Sequence, residues 1–86
     1  MLEPDMGEIA ILPYEFEPEG WKRCDGQRLP INNDHMALFS LIGNRYGGDG
    51  ARNFHLPKMP PLPTEEGATL GYFISIKGIY PSRDRD

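Results

Sequence analysis

The decisive stretch of the chain is residues 21–57, WKRCDGQRLPINNDHMALFSLIGNRYGGDGARNFHLP. It contains an Asp-Gly turn, a short helix pattern, a glycine-rich loop and a Phe-His-Leu strand that Pro57 closes. Asp25 and Gly26 favour a tight hairpin over residues 21–29, because this pair accepts the positive φ angles of a type I′ turn. Turn, helix and turn signals therefore follow one another in a fixed order.

A single short helix is expected after the hairpin. Asn32 or Asn33 supplies an amide oxygen that caps free N–H groups, and Asp34 then lies in the first turn. Apolar residues at helical spacing form one stripe and predict a helix of about ten residues: Ala37, Leu38, Leu41 and Ile42. Gly43 fits the position that ends this helix. A helix this short is not stable alone, so its stripe is expected to pack on strands, with neighbours Ile11, Trp21 and Phe54.

The segment after the helix, residues 44–53, contains the run Gly47-Gly48-Asp49-Gly50. Three glycines accept left-handed or crowded backbone, which predicts a loop of defined shape. Asp49 is expected to bond the backbone of its own loop, as aspartates in turns commonly do. The run is not a phosphate cradle, because the helix precedes it and no Lys-Ser or Lys-Thr follows it.

Two further strands are expected outside this stretch. Residues 8–12 are apolar on both faces, which predicts a short strand buried on both sides. Residues 70–80 predict the longest strand, with Gly78 at a bulge or at a close approach of two backbones. Residues 14–20 are expected to connect the first strand to Trp21 with one aromatic side chain turned inward, and Trp21 itself is assigned to the core.

This order of motifs resembles the phage tail collar domain family, which is also found in the bacterial proteins called microcystin-dependent. The shared motifs are Gly-Trp at 20–21, Cys-Asp-Gly-Gln at 24–27, Ala-Leu-Phe-Ser-Leu at 37–41, Tyr-Gly-Gly-Asp-Gly at 46–50 and Phe-His-Leu-Pro at 54–57. Residues 72–83 resemble the closing strand of the microcystin-dependent branch. Family members usually carry a long insertion after Phe-x-Leu-Pro, so the chain resembles a compact variant that lacks it.

We expect an α+β fold: a small single domain of short antiparallel strands with one helix and long Gly/Pro-rich loops. Residues 1–86 are then one tail-collar-like domain, with residues 81–86 as a frayed tail. The residues expected to define the fold are Trp21, Asp25, Gly26, Leu38, Phe39, Gly47, Gly48, Asp49, Gly50, Phe54 and Pro57.

The function that the resemblance implies is structural. It is that of a collar or distal part of a phage tail fibre, or of a related particle, which helps attachment to a host surface. The implied partners are other tail-fibre or particle chains, with a homotrimer expected by family analogy. The implied location is the virion tail or an extracellular particle.

Length and composition narrow the function classes further. A chain of 86 residues has material for one core. The net charge of −4, without a basic stripe, argues against nucleic acid as a partner. Residues 1–7 lack the features of a secretory signal, and no apolar run is long enough to insert into a membrane. We therefore expect synthesis in the cytoplasm without a signal peptide.

The residues able to do chemistry show no spacing typical of a catalytic or metal site. Cys24 with His35 or His55 has no family-specific pattern for a thiol–imidazole pair, and a small buried cysteine is favoured. Zinc sites need close ligand pairs that are absent here even with Asp25 or Asp49, and Asp49 supplies too few oxygens for calcium. Paired carboxylates for glycoside cleavage would have to come from polar segments, where solvated surface is the favoured interpretation: Glu15, Glu17, Glu19, Glu65 and Glu66. We expect no enzyme, no cofactor and no metal.

Four aromatic residues form a candidate surface on which a sugar ring can stack: Tyr14, Phe16, Tyr46 and Tyr80. Aromatic residues in small folds more often fill the core, which is the competing interpretation. The second functional hypothesis is therefore a free-standing glycan-binding, lectin-like module of bacterial origin. Genes for tail or baseplate proteins beside this one would favour the particle component, and saturable binding on a glycan array would favour the lectin-like module.

Overall fold

A computed structural model describes residues 4–81 of the chain. In this range the elements are short strands and one helix, which confirms the α+β class. The bounds are β1 Ile9–Leu12, β2 Trp21–Arg23, β3 Arg28–Pro30, α1 Met36–Ile42, β4 Asn53–His55, β5 Leu62–Pro63 and β6 Thr69–Ser75.

The strands form two antiparallel sheets. In the larger sheet β6 is central, with β1 on one side, β2 on the other, and β5 paired to its first residues. Ile9 lies opposite Ile74, and Trp21 lies opposite Ser75. The smaller sheet joins β3 to β4, with Leu29 opposite Phe54. The last long strand of the sequence therefore organises the larger sheet.

The predicted hairpin over residues 21–29 is wrong. β2 pairs with β6 and β3 pairs with β4, so the two arms belong to different sheets. Asp25 does not take the positive φ angle that a type I′ turn requires, since only glycines have positive φ in residues 4–81. Its Oδ1 instead accepts a hydrogen bond from the N–H of Gln27 at 3.0 Å, and the N–H of Gly26 donates to the carbonyl of Pro57. The turn passes the chain from one sheet to the other.

The core lies between the helix and both sheets. It contains six buried residues: Cys24, Leu29, Leu38, Phe54, Leu56 and Ile74. The ring of Phe39 packs on that of Phe54 with centroids 5.3 Å apart, which confirms Phe54 as a neighbour of the helix. Trp21 is only half-buried and lies outside this core, and Ile11 is exposed, so the other two predicted neighbours are wrong.

The N-terminal segment is less buried than predicted. Ile9 and Ile11 are 42% and 49% exposed, so β1 is not covered on both faces. Tyr14 and Phe16 also face solvent, and neither ring turns inward. The sequence pattern failed here because β1 lies at a sheet edge, where apolar residues on both faces do not imply a cover on both faces.

The helix is shorter than the expected ten residues. Oδ1 of Asn32 accepts hydrogen bonds from the N–H groups of Asp34 and His35, so Asn32 caps a turn that precedes the helix. The helix itself begins at Met36, with His35 at its N-cap. Gly43 ends it as predicted, with its N–H bonded to the carbonyl of Phe39 at 2.7 Å.

The C-terminal strand is also shorter than the predicted range of 70–80, because β6 ends at Ser75. Gly78 then takes φ +106°, and a Cβ atom there would collide with the carbonyl oxygen of Pro4, which confirms the close backbone approach. The frayed tail predicted for residues 81–86 lies outside the described residues apart from Pro81.

Candidate functional site

The loop of residues 44–53 is held by the side chain of Asp49. Its Oδ1 accepts hydrogen bonds from the N–H groups of Ala51, Arg52 and Asn53 at 2.9, 2.8 and 3.2 Å. These backbone bonds stabilise the carboxylate and lower the pKa of Asp49. The predicted bond of Asp49 to its own loop is confirmed.

The glycines of this loop are required by geometry. Gly47, Gly48 and Gly50 have φ angles of +129°, +95° and +73°. A Cβ atom on Gly48 would lie 2.6 Å from Cα of Phe54 and 2.7 Å from the carbonyl oxygen of Asn53. Because no side chain fits there, the loop can lie directly on β4.

An exposed aromatic pair lies in the segment between β1 and β2. The rings of Tyr14 and Phe16 stack with centroids 5.2 Å apart and planes 26° from parallel. Tyr14 also lines a cleft of about 350 Å³ together with Pro13, Glu15, Arg23 and residues 67–69. The structure therefore brings two of the four aromatic candidates together beside a concave surface.

This cleft is also lined by Arg23, which the sequence did not identify. Its guanidinium carbon lies 4.7 Å from the centroid of the buried ring of Phe73, and its Nη2 donates to the carbonyl of Tyr14 at 3.1 Å. Stacking on an aromatic face holds the guanidinium in place while its other N–H groups stay available. Such a group can donate hydrogen bonds to hydroxyl or carboxylate oxygens of a ligand.

A carboxylate anchors the backbone beside Arg23. Oε2 of Glu17 accepts hydrogen bonds from the N–H of Arg23 and from Nε2 of Gln27, each at 2.8 Å. Partial burial raises the pKa of Glu17, but these hydrogen bonds and the charges of Lys22 and Arg23 outweigh it, so the net direction is downward. Glu17 therefore fixes the 14–20 segment to β2.

The other two aromatic candidates lie elsewhere. The hydroxyl of Tyr80 is hydrogen-bonded to Oγ of Ser40 at 2.6 Å, which places Tyr80 against the helix. Tyr46 is 45% exposed in the loop that follows the helix. Within residues 4–81 neither ring contacts the Tyr14–Phe16 pair, so the structure does not bring the four together.

Trp21 lines a second cleft instead of the core. This cleft measures about 320 Å³ and is formed with Pro4, Glu19, Gly20, Ser75, Lys77 and Gly78. The indole thus borders a surface that carries one acidic and one basic side chain. The sequence does not distinguish a tryptophan at the edge of a cleft from one in the core, because strand residues flank the tryptophan in either case.

The candidate thiol–imidazole pair is not assembled. Cys24 is 1% exposed, and burial together with the charge of Asp25 raises its pKa to about 11. Nδ1–H of His35 donates to the carbonyl of Pro30, and Nδ1–H of His55 donates to that of Gly26. The prediction of a small buried cysteine is confirmed.

Two further features of the described residues concern metal ligands and membrane-spanning helices. No three side chains of His, Cys, Asp or Glu within residues 4–81 are close enough together to hold a metal ion. In the same range the structure contains no helix with the length and apolar character that crossing a bilayer requires.

Comparison with known sequences identifies one family. The sequence model described as phage tail collar domain matches residues 7–61, which include β1, the helix, the glycine-rich loop and β4. Comparisons with curated proteins and with solved structures return no match.

Proposed function

Because the chain belongs to the phage tail collar domain family, we propose that it is a structural part of a phage tail fibre, or of a phage-tail-like particle, and helps it attach to its host. The observation that carries this proposal is the family match over residues 7–61, more than half of the chain. We further propose that residues 1–86 act as one domain within that assembly.

The geometry of the matched segment supports a structural role. Asp49 and the three glycines around it serve to fix the loop on β4, and the thiol of Cys24 is buried in the core. A rigid loop supported by a helix can hold a surface in place without reacting groups. The segment that matches the family thus contains a loop that is hydrogen-bonded within itself and packed on β4.

Host attachment is tested by adsorption of particles to cells. Particles made without the chain should stay free in solution, and supplying the wild-type chain should restore adsorption. If the Phe16→Ala chain also restores adsorption, the Phe16 side chain is not needed for attachment. If the wild-type chain restores adsorption and the Phe16→Ala chain does not, the contact with the host lies at the Tyr14–Phe16 pair. Adsorption at the wild-type rate by particles that lack the chain would contradict the proposal.

Association with other tail components follows from the family, and we propose a homotrimer as the form of the free chain. Light scattering should then give about three times the 9.7 kDa mass of the chain. A monomer that persists at high concentration would remove the trimer from the proposal and leave association with other tail chains.

A second candidate function is a glycan-binding, lectin-like module of bacterial origin. The observation that favours it is the stacked Tyr14–Phe16 pair beside the cleft that contains Arg23. Sugar rings stack on aromatic faces, and a fixed guanidinium can bind their hydroxyl or carboxylate oxygens. Saturable binding on a glycan array that Tyr14→Ala removes and Tyr46→Ala keeps would support it; an array without binding would contradict it.

A further inference from the structure

β1 leaves one edge of the larger sheet open. Within residues 4–81 it pairs with β6 alone. The N–H of Ser75 donates to the carbonyl of Glu8, and bonded positions alternate in an antiparallel pair, so Ala10 and Leu12 bond β6. The N–H and C=O groups of Ile9 and Ile11 therefore point away from the sheet, where an added strand would pair with them.

The side chains at this edge are apolar. Ile9 and Ile11 are 42% and 49% exposed and lie opposite Ile74 and Tyr72, on the face of the sheet that bears the core residue Ile74. A strand added to β1 would extend this face and cover both isoleucines. The edge thus offers backbone pairing and apolar burial together.

The opposite edge of the sheet is closed by the chain itself. The outward N–H of Trp21 donates to the carbonyl of Pro18 at 3.0 Å, and that of Arg23 donates to Oε2 of Glu17 at 2.8 Å. These bonds occupy the donors that an added strand would use on β2. Of the two outer strands that flank β6, β1 is the one whose outward donors stay free among the described residues.

The charge around β1 defines what can dock there. Residues 4–15, which contain β1 and the segments on either side of it, have no lysine or arginine and three carboxylates: Asp5, Glu8 and Glu15. Glu8 and Glu15, which flank β1, are exposed. A second copy docking through β1 would bring the same carboxylates to the contact, and like charges oppose that arrangement. A basic segment would be attracted to it.

We propose that β1 is the docking edge for an extended basic segment of another tail chain, which adds to the larger sheet as a strand. Its alternate side chains would be β-branched and cover Ile9 and Ile11, and its Lys or Arg residues would face the flanking carboxylates. The identity of the partner as a tail chain rests on the proposed function. The surface itself rests on the free backbone groups, the exposed isoleucines and the charge.

The probe is a synthetic peptide, Lys-Lys-Val-Thr-Val-Thr-Val-Lys-Lys, compared with the same peptide carrying Glu in place of each Lys. The protein is titrated with each and followed by amide chemical shifts. The Lys peptide should shift the amides of Ile9 and Ile11 most and bind at least about tenfold more tightly than the Glu peptide, with affinity that falls as salt rises.

Two isoleucines of equal exposure provide the matched control. Ile11 and Ile79 are each 49% exposed, and Ile79 lies outside β1. Ile11→Lys should weaken the Lys peptide about tenfold or more, because it removes the apolar contact and adds a like charge. Ile79→Lys should change it less than about twofold. Ile11→Pro, which removes the outward N–H, should also abolish binding while the remaining amide spectrum stays dispersed.

Three results would overturn the proposal. They are equal binding of the two peptides, equal effects of Ile11→Lys and Ile79→Lys, and an oligomer of the free chain that Ile11→Lys dissociates, since the occupant would then be a second copy. The peptide result is independent of whether particles contain the chain. Failure of the docking edge and failure of the tail assignment are therefore distinguishable.

Discussion

Gly48 has the strictest steric requirement in the loop of residues 44–53. Its φ of +95° disfavours any side chain, and the Cβ of an alanine would overlap backbone atoms of Phe54 and Asn53. Left-handed strain and a backbone clash each cost of the order of 1–3 kcal/mol, so Gly48→Ala should lower the free energy of unfolding by about 3 kcal/mol or more. Urea denaturation measures this change.

Gly67→Ala is the matched control for that substitution. Gly67 has φ +88°, and no atom lies within 4 Å of the position its Cβ would take. It should therefore show the conformational strain alone, about 1–2 kcal/mol. If Gly48→Ala costs no more than Gly67→Ala, the loop does not lie against β4 as the structure shows.

Asp49 should make stability depend on pH in the acid range. Its folded-state pKa is lowered by the three backbone N–H donors, so its stabilisation is fully present above the unfolded value near 4 and is lost as pH falls through the folded pKa. The melting temperature of Asp49→Asn should fall below that of the wild type at pH 6, and the difference should shrink below about pH 4. A difference that stays constant from pH 6 to pH 2 would contradict this role.

Cys24 should not react with thiol reagents in the folded protein. Its side chain is 1% exposed and its pKa is raised to about 11, so little thiolate exists near pH 8 and the reagent cannot reach it. Labelling by Ellman's reagent should therefore be no faster than unfolding and should become rapid in urea. Fast labelling of the folded chain would indicate an accessible, activated thiol and contradict the buried position of Cys24.

Residues whose roles depend on their near neighbours in sequence could be predicted. The bonds of Asp49 and the positive φ of the glycines around it arise within a few residues, and both were expected. The hairpin turn predicted at Asp25 also rested on near neighbours in sequence, and that prediction was wrong. An Asp-Gly pair permits a type I′ turn but does not require one. β2, which would have been the first arm of the hairpin, pairs instead with β6, far along the chain.

At the scale of the elements, the helix and β4 are held together by two phenylalanine rings. Phe54 is fully buried and packs on Phe39, whereas Phe16 is 64% exposed. Phe54→Ala should destabilise the fold by about 3–5 kcal/mol, comparable with the total stability of a small domain. Phe16→Ala should change it by less than about 0.5 kcal/mol. Thermal unfolding followed by circular dichroism compares the two, and equal effects would contradict the assignment of the core.

The existence of the elements could be predicted better than their pairing or burial. Apolar spacing identified the helix, and alternation identified most of β6. Burial of β1 was overestimated, because the sequence does not show that no strand lies beyond it. The prediction that Trp21 lies in the core failed for a related reason. Its ring borders a cleft that residues 75–78 help to form, and the sequence does not show that these residues come close to Trp21.

At the scale of the whole molecule, the charged and apolar groups are unevenly distributed. The family match over residues 7–61 includes the helix, the glycine-rich loop and most of the acidic segment of residues 4–21, where the exposed Tyr14–Phe16 pair and the open edge of β1 lie. Arg23 and Glu17 could not be predicted as members of a site, because they meet through the path of the chain and not through spacing in sequence. One part of the molecule thus provides a scaffold and another provides surface for contacts.

The proposed function requires the chain to be a component of a phage tail or of a phage-tail-like particle. The most direct measurement is electron microscopy of purified particles with a gold-labelled antibody against this chain. Gold is expected at the tail or its fibres, at one end of the particle, and none is expected on particles made without the chain. Gold on the capsid, or purified intact particles that lack the chain altogether, would contradict the proposed function.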